Sequence, residues 1–295
     1  MTPKVSICIP TFMQTEFLKR TLDSIYFQTY QDYEIVITDD SPDNTVEQLV
    51  NKYDFKGRLR YIKNSERLGS PRNWNRAIGL ANGEFIKILH HDDWFADSDS
   101  LRKYVDLLAQ NPNADFAFSA CNNISGNVSS LWCMDQGNLL ALKHDPYRLI
   151  IGNKIGAPSV TIFRNHKKLY FDENLIWLVD VDFYIQMLEN NNNFINCPEA
   201  LINICGDGKH QITNNCQDNK DIEIPEYMYI YKKFHKNFTI NSFHKKKLYD
   251  LFLKYKIRKI KDLQALTLIS EIPDFIRKIF SSISTFRIKS LLSSS

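Results

Sequence analysis

His90-His91-Asp92-Asp93 closes the mainly apolar run Glu84-Phe85-Ile86-Lys87-Ile88-Leu89 and gathers the densest set of reactive side chains in the chain. Two adjacent carboxylates at the end of a buried strand repel each other, and each resists burial unless something positive lies between them. A divalent metal that holds a diphosphate relieves the repulsion, and hard oxygen ligands suit Mg²⁺ or Mn²⁺. A solvated strand-to-loop turn is the other reading, because Asp is a turn residue. A second acidic pair, Asp39-Asp40, follows the apolar run YEIVIT at 33–38, and Asp180 and Asp182 stand in the segment Leu178-Val179-Asp180-Val181-Asp182-Phe183. Acids at the start of a helix are also favoured by its dipole, a reading that suits Asp182 well and Asp180 in part.

The elements that must position these groups alternate. Residues 5–10 read as a strand and 16–28 as an amphipathic helix with Phe17, Leu18, Leu22, Ile25 and Tyr26 on one face. Strands follow at 33–38, 59–63, 84–89 and 115–120, separated by helical patterns at 44–53, 73–81 and 100–110, with Gly83 ending the third helix. Short connections between β and α units imply an α/β fold whose central sheet is mostly parallel, with helices on both faces. Ligands of such sheets bind beyond the carboxyl ends of the strands, which is where Thr11, Asp39-Asp40 and Asp92-Asp93 fall. The second half is less regular: a strand at 160–163, a helix at 182–189, a strand at 201–205, then Gly206-Asp207-Gly208 and a polar loop to 219. From about residue 226 the chain reads as helical, a C-terminal helical extension to the sheet domain.

Bulk properties exclude several classes. With 295 residues, 43% hydrophobic and 24% charged, the chain has the composition of a soluble globular protein. Its six cysteines show no zinc spacing and read as free thiols of a reducing cytoplasm. The first strand begins almost at the N-terminus, which leaves no room for a signal peptide, and no apolar run approaches the roughly 20 residues of a membrane span. The net charge of +3 conceals an asymmetry: residues 241–295 hold twelve Lys/Arg against four Asp/Glu, and the other 240 residues are net negative. Phe275, Ile276, Ile279, Phe280, Ile283, Phe286 and Ile288 alternate there with basic residues, a pattern that lies on an anionic membrane surface or packs on the body. The anionic partner expected is a membrane, and no nucleic acid is expected. There is no P-loop and no GxGxxG after the first strand, so neither an NTPase nor a dinucleotide dehydrogenase is indicated.

Four stretches, KVSICIPTF (4–12), EIVITDDSPDNT (34–45), LGSPRNWNRAIGLANGEFI (68–86) and LHHDDWF (89–95), resemble the N-terminal half of glycosyltransferase family 2. GAPSVTIFR (156–164) and FDENLIWLVDVDFYIQML (171–188) extend the resemblance over about residues 4–215. The closest flavour is that of bacterial enzymes of O-antigen or capsular polysaccharide synthesis. The resemblance implies a GT-A fold over residues 1–220, with a nucleotide-sugar half (1–123) and an acceptor half (124–220), followed by a basic extension (221–295). It implies an inverting enzyme that moves a sugar from a nucleotide-sugar, a UDP-sugar by preference, to a saccharide hydroxyl, such as that of a polyprenyl-diphosphate-linked acceptor. It also implies Mn²⁺ or Mg²⁺ as cofactor, and a cytoplasmic site of action, peripheral on the inner face of the membrane.

Carried over residue by residue, Pro10, Thr11 and Phe12 border the nucleotide base, and Asp39 and Asp40 follow, with Asp40 on uracil. A carboxylate accepting from an imide N–H is a sensible selector of uracil. Arg72 neutralises strand-end carboxylates or reaches the diphosphate, Asp92 falls on the sugar or ribose side, and Asp93 on the metal. His90 departs from the pattern, which has Asp there; a neutral imidazole is a poorer ligand for Mg²⁺ than for Mn²⁺, and a strand-end ring bonded to backbone is the other reading. The general base falls on Asp180, with Val179 replacing the usual acid before it. Trp177 and Asp182 fall on the acceptor side. His210 matches a loop His near the diphosphate, a further metal ligand, or belongs simply to an exposed polar loop. A nucleotidyltransferase is disfavoured by Thr11-Phe12-Met13-Gln14-Thr15, which lacks a Gly-rich basic signature. A catalytically inactive carbohydrate-binding or scaffold protein is the rival suggested by His90 and Val179.

Overall fold

The computed structural model describes residues 2–165, 169–206, 216–237, 239–267 and 272–281. They form two compact units. The first takes the chain through Pro146, then Lys154–Asn174, then Val179 up to residue 206; the second takes Tyr147–Asn153, Leu175–Leu178 and the described residues from 216 onward. This division differs from a single cut near residue 220, because two short segments from the middle of the chain belong with the C-terminal part.

The first unit is built on a nine-stranded sheet: β1 (Val5–Thr11), β2 (Tyr33–Asp39), β3 (Leu59–Lys63), β4 (Phe85–Ile88), β5 (Trp94–Phe95), β6 (Phe116–Ser125), β7 (Val128–Trp132), β8 (Thr161–Arg164) and β9 (Phe194–Cys205). Their order is β3-β2-β1-β4-β8-β6-β9-β5, with β7 on β6. β3, β2, β1 and β4 are parallel; β8 runs against both β4 and β6, and β9 is parallel to β6. Six of the nine strands run one way, as the alternation predicts, whereas β8 in the middle and the short or outlying β5 and β7 run against their neighbours, so the sheet is mixed. Every residue of β1 and β2 is buried, so both faces are covered, as parallel strands require.

The covering helices are α1 (Thr15–Tyr26), α2 (Thr45–Val50), α3 (Arg72–Leu80), α4 (Ser100–Ala109), α5 (Gln136–His144) and α6 (Val179–Asn190). Leu18, Leu22 and Ile25 of α1 and Leu101, Tyr104, Val105 and Leu108 of α4 recur at helical spacing and are all buried. Asp135 starts α5 by accepting from Asn138 N–H at 2.8 Å. α6 begins at Val179 rather than at 182, so Asp180 and Asp182 both lie in its first turn. β9 reaches back to Phe194, well before 201. Its register against β6 shifts between Cys197 and Ala200, where Pro198 has no N–H to give the ladder.

The second unit contains α7 (Lys220–Phe234), α8 (Ser242–Lys254) and α9 (Ile260–Gln264). Its inner polar contacts explain why it recruits distant segments. The Glu226 carboxylate accepts from Ile176, Trp177 and Leu178 N–H at 2.7, 2.9 and 2.8 Å, and buried His244 meets Tyr147 O through Nε2 at 3.1 Å. Ile276, Ile279 and Phe280 are buried, and the Phe280 ring stacks on Phe252 at 5.1 Å. The start of the apolar pattern of the tail is thus packed on protein, the alternative to a membrane face; residues 282–295 lie outside the described residues.

Gly83 joins α3 to β4 where a Cβ would lie 2.5 Å from Ser6 N and 2.7 Å from Val5 C. Both contacts are with backbone and cannot yield cheaply. Gly83→Ala is therefore expected to destabilise the protein by about 1–3 kcal/mol, an overpacking cost, read as a lower denaturant midpoint.

Candidate active site

The carboxyl ends of β2, β1 and β4 lie side by side. Thr11 pairs with Asp39 across the β1–β2 ladder, Asp40 N–H donates to Thr11 O at 3.0 Å, and Leu89 N–H donates to Cys8 O at 3.0 Å. Thr11, Asp39, Asp40 and the Asp92-Asp93 loop, expected at strand ends, are thus brought to one edge. Pro10 and Thr11 are buried and Phe12 is half-buried under the Arg67 guanidinium, 4.1 Å from its ring centroid. Thr11 Oγ1 is buried without a hydrogen-bond partner among the described residues. Arg72, the first residue of α3, is exposed and makes no ion pair among the described residues.

Asp39 and Asp40 are held by protein groups. Asp39 accepts from Ser41 N–H at 2.8 Å and Tyr61 Oη at 2.7 Å. Asp40 Oδ1 accepts from Asn64 Nδ2 at 2.6 Å and Leu68 N–H at 3.1 Å, and its Oδ2 accepts from Gly69 N–H at 2.8 Å. A carboxylate has about four acceptor positions, so Asp40 ties down the 64–69 loop and retains capacity on Oδ2. Asn73 completes the brace, donating from Nδ2 to Thr38 O at 3.0 Å and Thr11 O at 3.3 Å while its Oδ1 accepts from Asn64 at 2.9 Å. An Asn at a helix start has a bland reading in sequence, and no local signal distinguishes this one.

The Asp92-Asp93 loop is gripped from several elements. Thr21 Oγ1 of α1 donates to His91 O at 2.9 Å and Asp93 O at 2.7 Å; Arg20 Nη2 donates to Asp92 O at 3.1 Å, its guanidinium lying 3.5 Å from the Trp94 ring centroid. Asp93 is 3% exposed. Its carboxylate accepts from Cys205 N–H at 3.3 Å and from the Ser159 hydroxyl. Burial first, then the charge of Asp92, push its carboxyl well above the usual range, against the pull of Ser159, Cys205 and Lys87. Lys87 is fully buried, donating from Nζ to Ile88 O at 3.0 Å and to Ser159 O, and burial holds its ammonium well below the usual range. Arg20, Thr21, Lys87 and Ser159 were not singled out by sequence: they lie on three different segments, α1, β4 and the turn before β8, and only the fold converges them.

His90, Asp92 and Asp93 each offer a donor atom, and these atoms all lie within 4.8 Å of one another. His90 Nε2 is buried with no hydrogen-bond partner among the described residues, and burial lowers the imidazole pKa to about 4, leaving the ring neutral. One neutral nitrogen and two carboxylates fit a divalent cation. A row of rings runs from this cluster to α6: His90 to Trp74 at 4.6 Å, Trp74 to Phe171 at 5.0 Å, Phe171 to Phe183 at 4.2 Å. Phe183 lies three residues after Asp180 and hence on the same side of α6. Asp182, by contrast, is fully buried and accepts from Gln186 Nε2, so it faces the interior rather than an acceptor surface. Trp177 belongs to the second unit, where it lines a cavity of about 390 Å³ with Tyr227, Lys247 and Lys254. His210 lies outside the described residues.

The profile described as Glycosyl transferase family 2 matches residues 6–199. The chain belongs to glycosyltransferase family 2. An uncharacterized glycosyltransferase of Methanocaldococcus jannaschii is similar, 30% identical over 207 residues that cover 68% of this chain and 70% of that protein. The GalNAc(5)-diNAcBac-PP-undecaprenol beta-1,3-glucosyltransferase of Campylobacter jejuni is 32% identical over 132 residues, 43% of this chain but only 41% of its own length. Among solved structures, residues 1–349 of S. aureus TarS in complex with UDP-GlcNAc superpose with a TM-score of 0.67 at 19% identity, over 96% of this chain and 83% of that one. At that identity the likeness shows a shared fold, the GT-A arrangement of this glycosyltransferase.

In this glycosyltransferase Asn73→Ala unties the ends of β1 and β2 from Asn64. The expected result is a stability loss of about 1–3 kcal/mol, the cost of buried groups left unpaired, measured by chemical denaturation.

Proposed function

We propose that this glycosyltransferase is inverting and transfers a sugar from a UDP-sugar, in β-linkage, to a hydroxyl of a saccharide carried on a polyprenyl diphosphate. The observation that carries the reading is the convergence of Thr11, Asp40, Asp92 and Asp93 at adjacent strand ends beside a helix start bearing the uncommitted Arg72. Thr11, Phe12 and the remaining capacity of Asp40 offer a place for the base, and Arg72 a bidentate contact for diphosphate oxygens. Asp93, with Asp92 and His90, would hold a divalent cation, Mn²⁺ or Mg²⁺, whose charge offsets that of the leaving diphosphate. Asp180 takes the proton of the acceptor hydroxyl as its oxygen bonds to the anomeric carbon, and the bond from that carbon to the UDP oxygen breaks with its electron pair leaving on UDP. One displacement converts an α-linked donor into a β-linked product. The UDP-sugar bound by TarS and the polyprenyl-linked acceptor and beta linkage in the name of the Campylobacter relative support this choice.

No helix among the described residues is long and apolar enough to cross a membrane. Lys245, Lys246, Lys256, Arg258 and Lys259 of the second unit are exposed and supply a basic surface suited to the anionic face of the membrane that carries the acceptor.

Asp180→Asn is expected to lower transfer by at least about a thousandfold, consistent with loss of a general base, while UDP affinity, measured by calorimetry, stays within about threefold of wild type, since each tenfold is about 1.4 kcal/mol. Full turnover in this variant would sink the assignment. Affinity for Mn²⁺ in the presence of UDP should fall as the pH is lowered, since burial raises the Asp93 carboxyl and cation binding must displace its proton. Asp93→Asn should abolish the dependence, as read by calorimetry in buffers of different ionisation enthalpy.

A further inference from the structure

We infer that a ring nitrogen of His90 is a direct ligand of the divalent cation and that it makes the site select Mn²⁺ over Mg²⁺. The inference rests on the reading above that a cation and a nucleoside diphosphate meet at these strand ends, and it names the ligand set and metal preference of that site.

Three observations carry it. The donor atoms of His90, Asp92 and Asp93 lie within 4.8 Å of one another, so one ion can reach a nitrogen and two carboxylates together. His90 Nε2 is buried with no hydrogen-bond partner among the described residues, a costly state for a ring nitrogen unless something arrives to use it. The ring is also fixed in place. Trp74 packs against it at 4.6 Å and 43°, and Phe171 meets Trp74 edge-on at 5.0 Å. The backbone N–H of His90 donates to Ser159 Oγ at 3.0 Å, and the same hydroxyl donates to the Asp93 carboxylate. Ser159 therefore sets the spacing between two members of the cluster, as outer partners of metal ligands do.

The choice of metal follows from the donors. An imidazole in place of a carboxylate removes one negative charge from the site. Mg²⁺ dehydrates reluctantly and takes oxygen ligands, so it loses more by this exchange. Mn²⁺ stands between the hard ions and the later transition metals, binds both carboxylate and imidazole, and loses less.

The test uses the full chain with UDP and Mn²⁺. Electron spin-echo envelope modulation of the bound Mn²⁺ should show the ¹⁴N coupling of a directly bound imidazole in wild type and lose it in His90→Asp. Mg²⁺ competition, followed by the signal of released Mn²⁺, should show the preference for Mn²⁺ narrowing by at least about tenfold in His90→Asp, because changes at the outer partners of metal ligands already cost 10–100-fold. Bound Mn²⁺ without nitrogen coupling in wild type overturns the inference and needs no variant. Coupling that survives in His90→Asp, or equal competition by Mg²⁺ in both proteins, overturns it too. Sugar transfer assayed on the same samples separates the two readings: transfer without nitrogen coupling removes the role of His90 and leaves the proposed function, whereas nitrogen coupling without transfer from any UDP-sugar removes the function and leaves the ligand. Protein that binds no Mn²⁺ in the presence of UDP overturns the inference along with the metal part of that function.

Discussion

A carboxylate that is 3% exposed, with a second carboxylate beside it in sequence, is the constraint around which the first unit is arranged. Removing Asp93 from water is tolerable only with donors aimed at it, and each comes from a different part of the chain. The Ser159 hydroxyl precedes β8, Cys205 N–H ends β9, and Thr21 of α1 holds the carbonyl of Asp93 itself. Lys87, buried in β4 and hydrogen-bonded to Ser159 O, brings a positive potential to the same place. The reversed strand β8 matters for this reason: by entering between β4 and β6 it places Ser159 next to the end of β4, where His90 N–H and Asp93 both use it.

A second device fixes the ends of β1 and β2. Asp40, Asn64 and Asn73 form a continuous buried chain of hydrogen bonds from the loop before α3 to the carbonyls of Thr11 and Thr38. Networks of this kind are rigid when complete, because breaking one member strands the others. The result is a set of strand ends whose acidic and amide groups are oriented before any ligand arrives, which is the condition for electrostatic stabilisation of a charged leaving group. The ring row from His90 through Trp74 and Phe171 to Phe183 extends the same order to the helix that carries Asp180.

The second unit contributes a different kind of order. Burial raises the carboxyl of Glu226 while three successive backbone N–H groups pull the other way, and the segment they belong to runs directly into the first turn of α6. Glu226 lies beyond the stretch matched by the family, so this anchoring belongs to the C-terminal part of this chain.

The sequence by itself determined the alternation of strands and helices, the parallel strands β1 to β4, and the placement of Thr11, Asp39-Asp40 and Asp92-Asp93 at strand ends, because hydrophobic period and turn residues are local properties. The order and spacing of short motifs determined the family. Tertiary structure alone decided what each polar group faces. Asp182 and Asp180 sit two residues apart in one helical turn, and Asp182, expected on the acceptor side, is sealed inside against Gln186. Asn73 reads as an ordinary helix start and is the brace of two strands. Lys87 stands in a mainly apolar run with no sequence sign of its partner, and it is fully buried against Ser159 O. Pro198 precedes the strand expected at 201–205 and lies within β9, where the register against β6 shifts. For Asn73 and Lys87 the deciding partners, Thr38 and Ser159, lie tens of residues away, and long-range pairing leaves no periodic trace in the residues around it.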